Sequence, residues 1–188
     1  MEEGLSETIE QAAAGDVAAF EAIYRNLAGF VYAVALRTTR NEQDAQEVTQ
    51  DVFMKLHQNL KDFRGESSLR TWVYRITVNE ALNACRARNR HFRKRVEMDE
   101  QTLEQQVDPH TLEAGPDVEP GVTRQLDKYL AVLNPDQRAC LILRKIQGLS
   151  YEEIAAALNI PINTVRSRLK RAREALFDAN KKEQDDAV

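Results

Sequence analysis

Ser150-Tyr151-Glu152-Glu153-Ile154-Ala155-Ala156-Ala157-Leu158-Asn159-Ile160-Pro161-Ile162-Asn163-Thr164-Val165-Arg166-Ser167-Arg168-Leu169-Lys170-Arg171-Ala172-Arg173 reads as helix, turn, helix. Ser150 and Glu153 form a capping box, in which each side chain satisfies an orphan backbone amide of the other at a helix start. Ile154 and Leu158 then face the core, and Ala155 is small where two helices must approach closely. Asn159 opens the turn Asn159-Ile160-Pro161 and tolerates the left-handed conformation that ends a helix. Val165 and Leu169, four apart, pin the second helix. Its opposite face carries Arg166, Ser167, Lys170, Arg171 and Arg173, with no acid anywhere in 165–173. Such a stripe fits the major groove, where an arginine bonded twice to a guanine edge discriminates by roughly 1–3 kcal/mol. Other cations on the helix hold phosphates and set register. A solvated basic face is the plainer reading, but cap, turn and core spacing agree on a duplex-reading helix-turn-helix. Thr164 and Arg168 complete its candidate contacts.

Working outward, Asn134-Pro135-Asp136 is a helix start with proline at the first position. Its helix carries Cys140, Leu141, Leu143 and Ile146 and stops at Gly148. A further helix is expected over 123–133, and the last helix over about 163–180. In the N-terminal part a short helix is expected over 5–14, ended by Gly15. Asp16 caps the next, whose Phe20, Ile23, Tyr24, Leu27, Val31 and Val34 follow helical spacing. Asn41 caps a third, with Ala45, Val48, Val52, Phe53 and Leu56 buried. Glu47, Gln50 and Asp51 form an acidic, polar patch opposite that stripe. After a loop, Ser68 caps a long helix with Leu69, Trp72, Val73, Ile76 and Leu82. Six cations, Arg86, Arg88, Arg90, Arg93, Lys94 and Arg95, crowd its end.

The junction into that helix is unusual for a plain bundle. Phe63, Arg64, Gly65, Glu66, Ser67, Ser68, Trp72, Tyr74 and Arg75 gather aromatics, small hydroxyls and cations around a loop. The set suits single-stranded DNA: aromatic faces stack unpaired bases at about 1–3 kcal/mol each, and cations hold the backbone. Burial of Trp72 against the bundle remains the alternative.

Composition bounds the rest. The chain has 188 residues and a net charge of −4, which argues against a nucleic-acid partner only if the charge is evenly spread. Residues 96–122 hold eight acids and no Lys or Arg, so 26 basic residues face 22 acidic ones elsewhere. With Pro109, Pro116 and Pro120, this stretch reads as an extended, mobile linker between two basic halves. Cys85 and Cys140 stand alone among apolar positions, as reduced packing residues do. The three histidines have no metal-ligand spacing, and no nucleophile–base set stands out. No metal, cofactor, small-molecule substrate or enzymatic activity is therefore expected. No run of about 18 apolar residues exists to span a membrane, and the start lacks signal-peptide order. A cytoplasmic protein is expected.

Two motifs in this order resemble the extracytoplasmic-function (ECF) group of the sigma-70 family. Asp44-Ala45-Gln46-Glu47-Val48-Thr49-Gln50-Asp51-Val52-Phe53 is similar to the family's region 2.2. That implies that Glu47, Gln50 and Asp51 meet the clamp coiled coil of the RNA polymerase largest subunit. The stretch from Phe63 to Ile76 resembles the part that opens and reads the −10 element, and Thr77-Val78-Asn79-Glu80-Ala81-Leu82-Asn83 continues it. Asn79 stands where the family often places a base contact, and Asn83 and Arg86 join the implied set. Pro161-Ile162-Asn163-Thr164-Val165-Arg166-Ser167-Arg168-Leu169 resembles region 4.2, which reads the −35 element. Val73 departs from housekeeping relatives, which carry there a second aromatic that wedges the duplex open.

The resemblance implies an all-α protein of two small helical domains. Residues 1–95 would dock on polymerase and read −10, 96–122 would link, and 123–188 would read −35. It also implies three partners: core polymerase, including the flap of its second-largest subunit, promoter DNA, and an anti-sigma factor. Acids of the linker would imitate nucleic acid in the polymerase's RNA path. The rival readings are a free-standing helix-turn-helix regulator and a nucleic-acid enzyme.

Overall fold

A computed structural model describes residues 2–98 and 129–185. Its described elements are all helical: α1 (Glu2–Ala13), α2 (Val17–Thr39), α3 (Glu42–Asn59), a 3₁₀ turn (Leu60–Asp62), α4 (Leu69–Met98), α5 (Pro135–Lys145), α6 (Tyr151–Leu158) and α7 (Ile162–Asp185). A helical turn at 129–131 precedes α5. The expected linker, apart from 96–98, and most of the helix expected over 123–133 lie outside the described residues.

Local chemistry sets the helix starts. Asp16 accepts the Ala19 amide at 3.0 Å, and Asn41 accepts that of Asp44 at 2.8 Å. Ser68 accepts the Thr71 amide at 3.1 Å. Asn134 with Gln137, and Ser150 with Glu153, form reciprocal capping boxes. Gly15 and Gly148 end helices at positive φ, as expected. Arg40 does the same without being glycine, at φ 54°, and returns its amide to the Leu36 carbonyl.

Helices α1 to α4 bury one core around Val31, Ala45, Val52, Leu56, Val73 and Ala81. A second core holds the C-terminal helices together through Leu143, Ile154, Val165 and Ala172. This second core also takes in Val34 from α2 and Tyr74, Val78 and Leu82 from α4. The two halves therefore pack against each other. Each valine, leucine or isoleucine so buried is worth about 1.5–3 kcal/mol. Three expected boundaries shift. Helix α1 begins at Glu2, α4 runs to Met98 into the expected linker, and α7 runs to Asp185. No helix among the described residues is long and apolar enough to cross a membrane.

Candidate nucleic-acid interface

The helix-turn-helix is α6, a turn at Asn159 with φ 50° and ψ 51°, and α7. Two hydrogen bonds from Ser150 hold the Glu153 carboxyl below the usual carboxylate range. On α7, Val165, Leu169 and Ala172 are buried, while Arg166, Ser167, Lys170, Arg171 and Arg173 are exposed along one stripe. Arg166 donates to the Asn163 side chain at 3.4 Å, and Lys170 lies 3.7 Å from Glu174. Thr164 is half-buried at the helix start.

Arg168 departs from the expected set. It stands three residues after Val165 and one before Leu169, so it flanks the buried stripe. Its guanidinium turns inward to Asp136 at 3.1 Å, with Nη1 buried. In this arrangement it braces α7 against α5 instead of facing the groove.

The loop before α4 and the first turns of that helix shape a cavity of about 500 Å³. Phe63, Arg64, Glu66, Ser67, Trp72 and Arg75 line it, with Asp62 and Thr71 beside them. The rings of Phe63 and Trp72 lie 5.2 Å apart at 39°. Trp72 is half-buried and packs against the first core while lining the cavity. Ser68, exposed, is occupied as the helix cap. Leu149 and Glu153 from the C-terminal half close the cavity's far wall.

Tyr74 must be corrected. It is 1% exposed, because positions 74, 78 and 82 form the α4 stripe that meets the C-terminal half. Burial pushes its hydroxyl pKa up, and its Oη has no hydrogen-bond partner among the described residues. Val73, the departure from housekeeping relatives, is fully buried in the first core. Asn79 gives its side-chain amide to the Ala157 carbonyl of α6 at 2.7 Å. Asn83 and Arg86 are exposed and 3.4 Å apart, and Arg86 reaches Asp136 at 3.3 Å.

Glu47, Gln50 and Asp51 are exposed on the outer face of α3, opposite Ala45, Val48 and Val52. Met54, 59% exposed, extends the patch by one turn. Sequence reasoning passed over it, although its i+3 and i+4 spacing from Asp51 and Gln50 was the available signal.

Arg138 was also missed. Only 4% exposed, it sends Nε and Nη2 to the Leu130 and Leu133 carbonyls at 2.9 and 2.7 Å. Its Nη1 crosses to the Thr38 carbonyl at 2.7 Å and that of Arg37 at 3.4 Å. Burial, reinforced by the positive charge of Arg40, lowers its pKa to about 10, so it stays charged at neutral pH. Arg88 takes the next carbonyl, that of Thr39, at 3.1 Å and pairs with Asp44.

Comparison with known proteins places both halves. Residues 23–91 match the model of sigma-70 region 2, and residues 123–176 that of sigma-70, region 4. The RNA polymerase sigma-H factor of Pseudomonas aeruginosa is 34% identical over 176 residues, covering 91% of each chain. The ECF RNA polymerase sigma-E factor of Haemophilus influenzae is 32% identical over 173 residues, covering 89% of this chain and 90% of that one. Among solved structures, the sigma factor RpoE from Bartonella quintana, in complex with the anti-sigma factor NepR, superposes with a TM-score of 0.62 at 28% identity. That match covers 86% of this chain and 96% of the other.

Proposed function

Since the chain belongs to the ECF group of the sigma-70 family, we propose that it directs RNA polymerase to promoters through two readers of different DNA states. It is an alternative sigma factor and not an enzyme. The observation that carries the residue-level reading is the α7 stripe, five exposed donors within 166–173, a span that holds no acid, on a helix held by a capped helix-turn-helix. Residues Arg166, Ser167, Lys170, Arg171 and Arg173, with Thr164 at the helix start, read duplex DNA at −35. The Phe63–Trp72 cavity takes an unpaired base of the −10 element. Arg64, Arg75 and Arg86 hold the strand, and Asn79 and Asn83 reach base edges. Glu47, Gln50, Asp51 and Met54 dock on the polymerase clamp, and the C-terminal domain meets the flap.

Three parts of this assignment follow the sequence: a polymerase-docking domain over 1–95, an acidic linker over 96–122 and a −35 domain over 123–188. The linker's acids stand in for nucleic acid in the RNA path. The protein works in the cytoplasm, where its polymerase and DNA are. An anti-sigma factor restrains it, as NepR is bound to the Bartonella quintana relative. Promoter-specific run-off transcription with added core polymerase tests the reading. A transcript that needs both core and this chain is expected. No transcript, together with tight operator binding by the chain alone, would replace it with a free-standing regulator.

A further inference from the structure

The cavity around Phe63 and Trp72, about 500 Å³, falls within the size of small-molecule sites, about 300–1,000 Å³. Its wall is composite. The loop and α4 supply the two rings with Arg64, Glu66, Ser67 and Arg75, and the C-terminal half adds Leu149 and Glu153. A ligand that touches all of them must be small enough to lie between the halves. The lining also specifies its chemistry. Phe63 and Trp72, 5.2 Å apart and tilted by 39°, offer faces to a planar ring. Ionised carboxylates at Asp62, Glu66 and Glu153 only accept hydrogen bonds, while the guanidiniums of Arg64 and Arg75 only donate. Glu153 is fixed in place, because its Oε2 accepts the Ser150 amide at 2.7 Å.

A ring edge that sets an exocyclic amine beside a ring acceptor suits both kinds of group. Adenine and cytosine carry that edge. Uracil and hypoxanthine put a carbonyl where the amine stands, which sets oxygen against carboxylate. The charge count bears on the rest of the ligand. Three carboxylates against two guanidiniums leave one negative charge over, so a phosphate is disfavoured.

We propose that this cavity is a small-molecule site for a free nucleoside whose base carries an exocyclic amine, adenosine or cytidine. The base stacks on the rings, its amine donates to the carboxylates of the loop, and the sugar hydroxyls donate to Glu153. A bound nucleoside and a −10 base then exclude each other. That consequence rests on the reading of the cavity as the base reader; nucleoside binding itself rests on the lining alone.

Trp72 is the only tryptophan, and it lines the site, so its fluorescence reports occupancy. The full chain, free of polymerase and DNA, is titrated with adenosine, cytidine, uridine, inosine and adenosine 5′-monophosphate. N-acetyltryptophanamide in the same solutions corrects for absorption, and single-stranded oligo(dA) separates a DNA strand from the free nucleoside. Saturable quenching by adenosine, cytidine or both is expected, at least about tenfold tighter than by uridine or inosine. Glu66→Gln alters an exposed loop residue. Glu153→Gln keeps the capping box, where glutamine serves as glutamate does. Each should narrow that preference to about threefold or less, since an amide also donates to a carbonyl. Absence of saturable quenching by every nucleoside overturns the proposal, as do equal affinities for all of them. So do a monophosphate that binds tighter than adenosine, and a preference left unchanged in both variants. Quenching by oligo(dA) alone overturns it too and leaves the −10 reading standing. Nucleoside binding beside a failed run-off assay sinks the promoter reading and keeps the site.

Discussion

Arg166 and Arg168 are two residues apart and have different surroundings. Arg166 is exposed on the outer stripe of α7, and Arg168 is drawn to Asp136 on the inner flank. Arg166→Ala is expected to weaken binding to a −35 duplex by about 1–3 kcal/mol, the worth of a bidentate base contact. Its melting temperature should not move. Arg168→Ala should instead destabilise the C-terminal half by up to about 1 kcal/mol, since the pair it breaks is partly exposed. Fluorescence anisotropy with labelled duplex and thermal unfolding by circular dichroism, run on both variants, separate the two tasks. Equal losses of affinity without loss of stability would return Arg168 to the reading face. A list of cations in sequence order does not distinguish them; their positions relative to Val165 and Leu169 do. Met54 makes the same point on α3. Exposed beside Glu47, Gln50 and Asp51, it gives a polar patch an apolar anchor. Met54→Glu is expected to cut affinity for core polymerase about tenfold, roughly 1.4 kcal/mol, without affecting α3, whose buried stripe it does not join. Competition against labelled wild-type chain for core measures it.

At the scale of elements, the helix starts were legible because caps are local. Asp16, Asn41, Ser68, Asn134 and Ser150 each bond an amide within three residues, so their neighbours in sequence decide the outcome. The turn of the helix-turn-helix is equally local, and it yields a sharp expectation. Asn159 sits at φ 50°, where a Cβ-branched residue is strained and glycine is free. Asn159→Val should cost about 1–2 kcal/mol in urea unfolding, whereas Asn159→Gly should be neutral or better. A neutral valine would mean that the turn relaxes away from the left-handed geometry. What was not legible was the second face of α4. Tyr74, Val78 and Leu82 repeat at four like any bundle stripe, and nothing in that repeat says whether the partner is the same domain or the other one. Tyr74, expected on the DNA side, is instead buried between the halves for that reason.

For the whole molecule, the two helical domains and their order were readable from spacing and charge, but their embrace was not. It hangs on long-range partners, above all a buried arginine satisfied by carbonyls about a hundred positions away. An arginine in sequence reads as surface, and only orphaned helix-end carbonyls make its burial favourable. The same packing fixes how stability responds to alkali. Burial pushes the thiol pKa of Cys85 and of Cys140 above its ordinary value of 9.0, and does the same to the Tyr74 hydroxyl. On unfolding these groups return to their ordinary values, so above about pH 9 the unfolded chain binds fewer protons than the folded one. Stability then falls as pH rises. Arg138 opposes this trend only above about 10, where its own lowered pKa lies. Between pH 7.5 and 8 the slope should be small, and between 9 and 10 it should be clearly negative. Urea midpoints under reducing conditions across that range test the sign. In the double variant Cys85→Ala, Cys140→Ala the fall between 9 and 10 should shrink, leaving the weaker contribution of Tyr74. An unchanged slope would mean that both thiols ionise as readily inside the fold as out of it, which their burial does not allow.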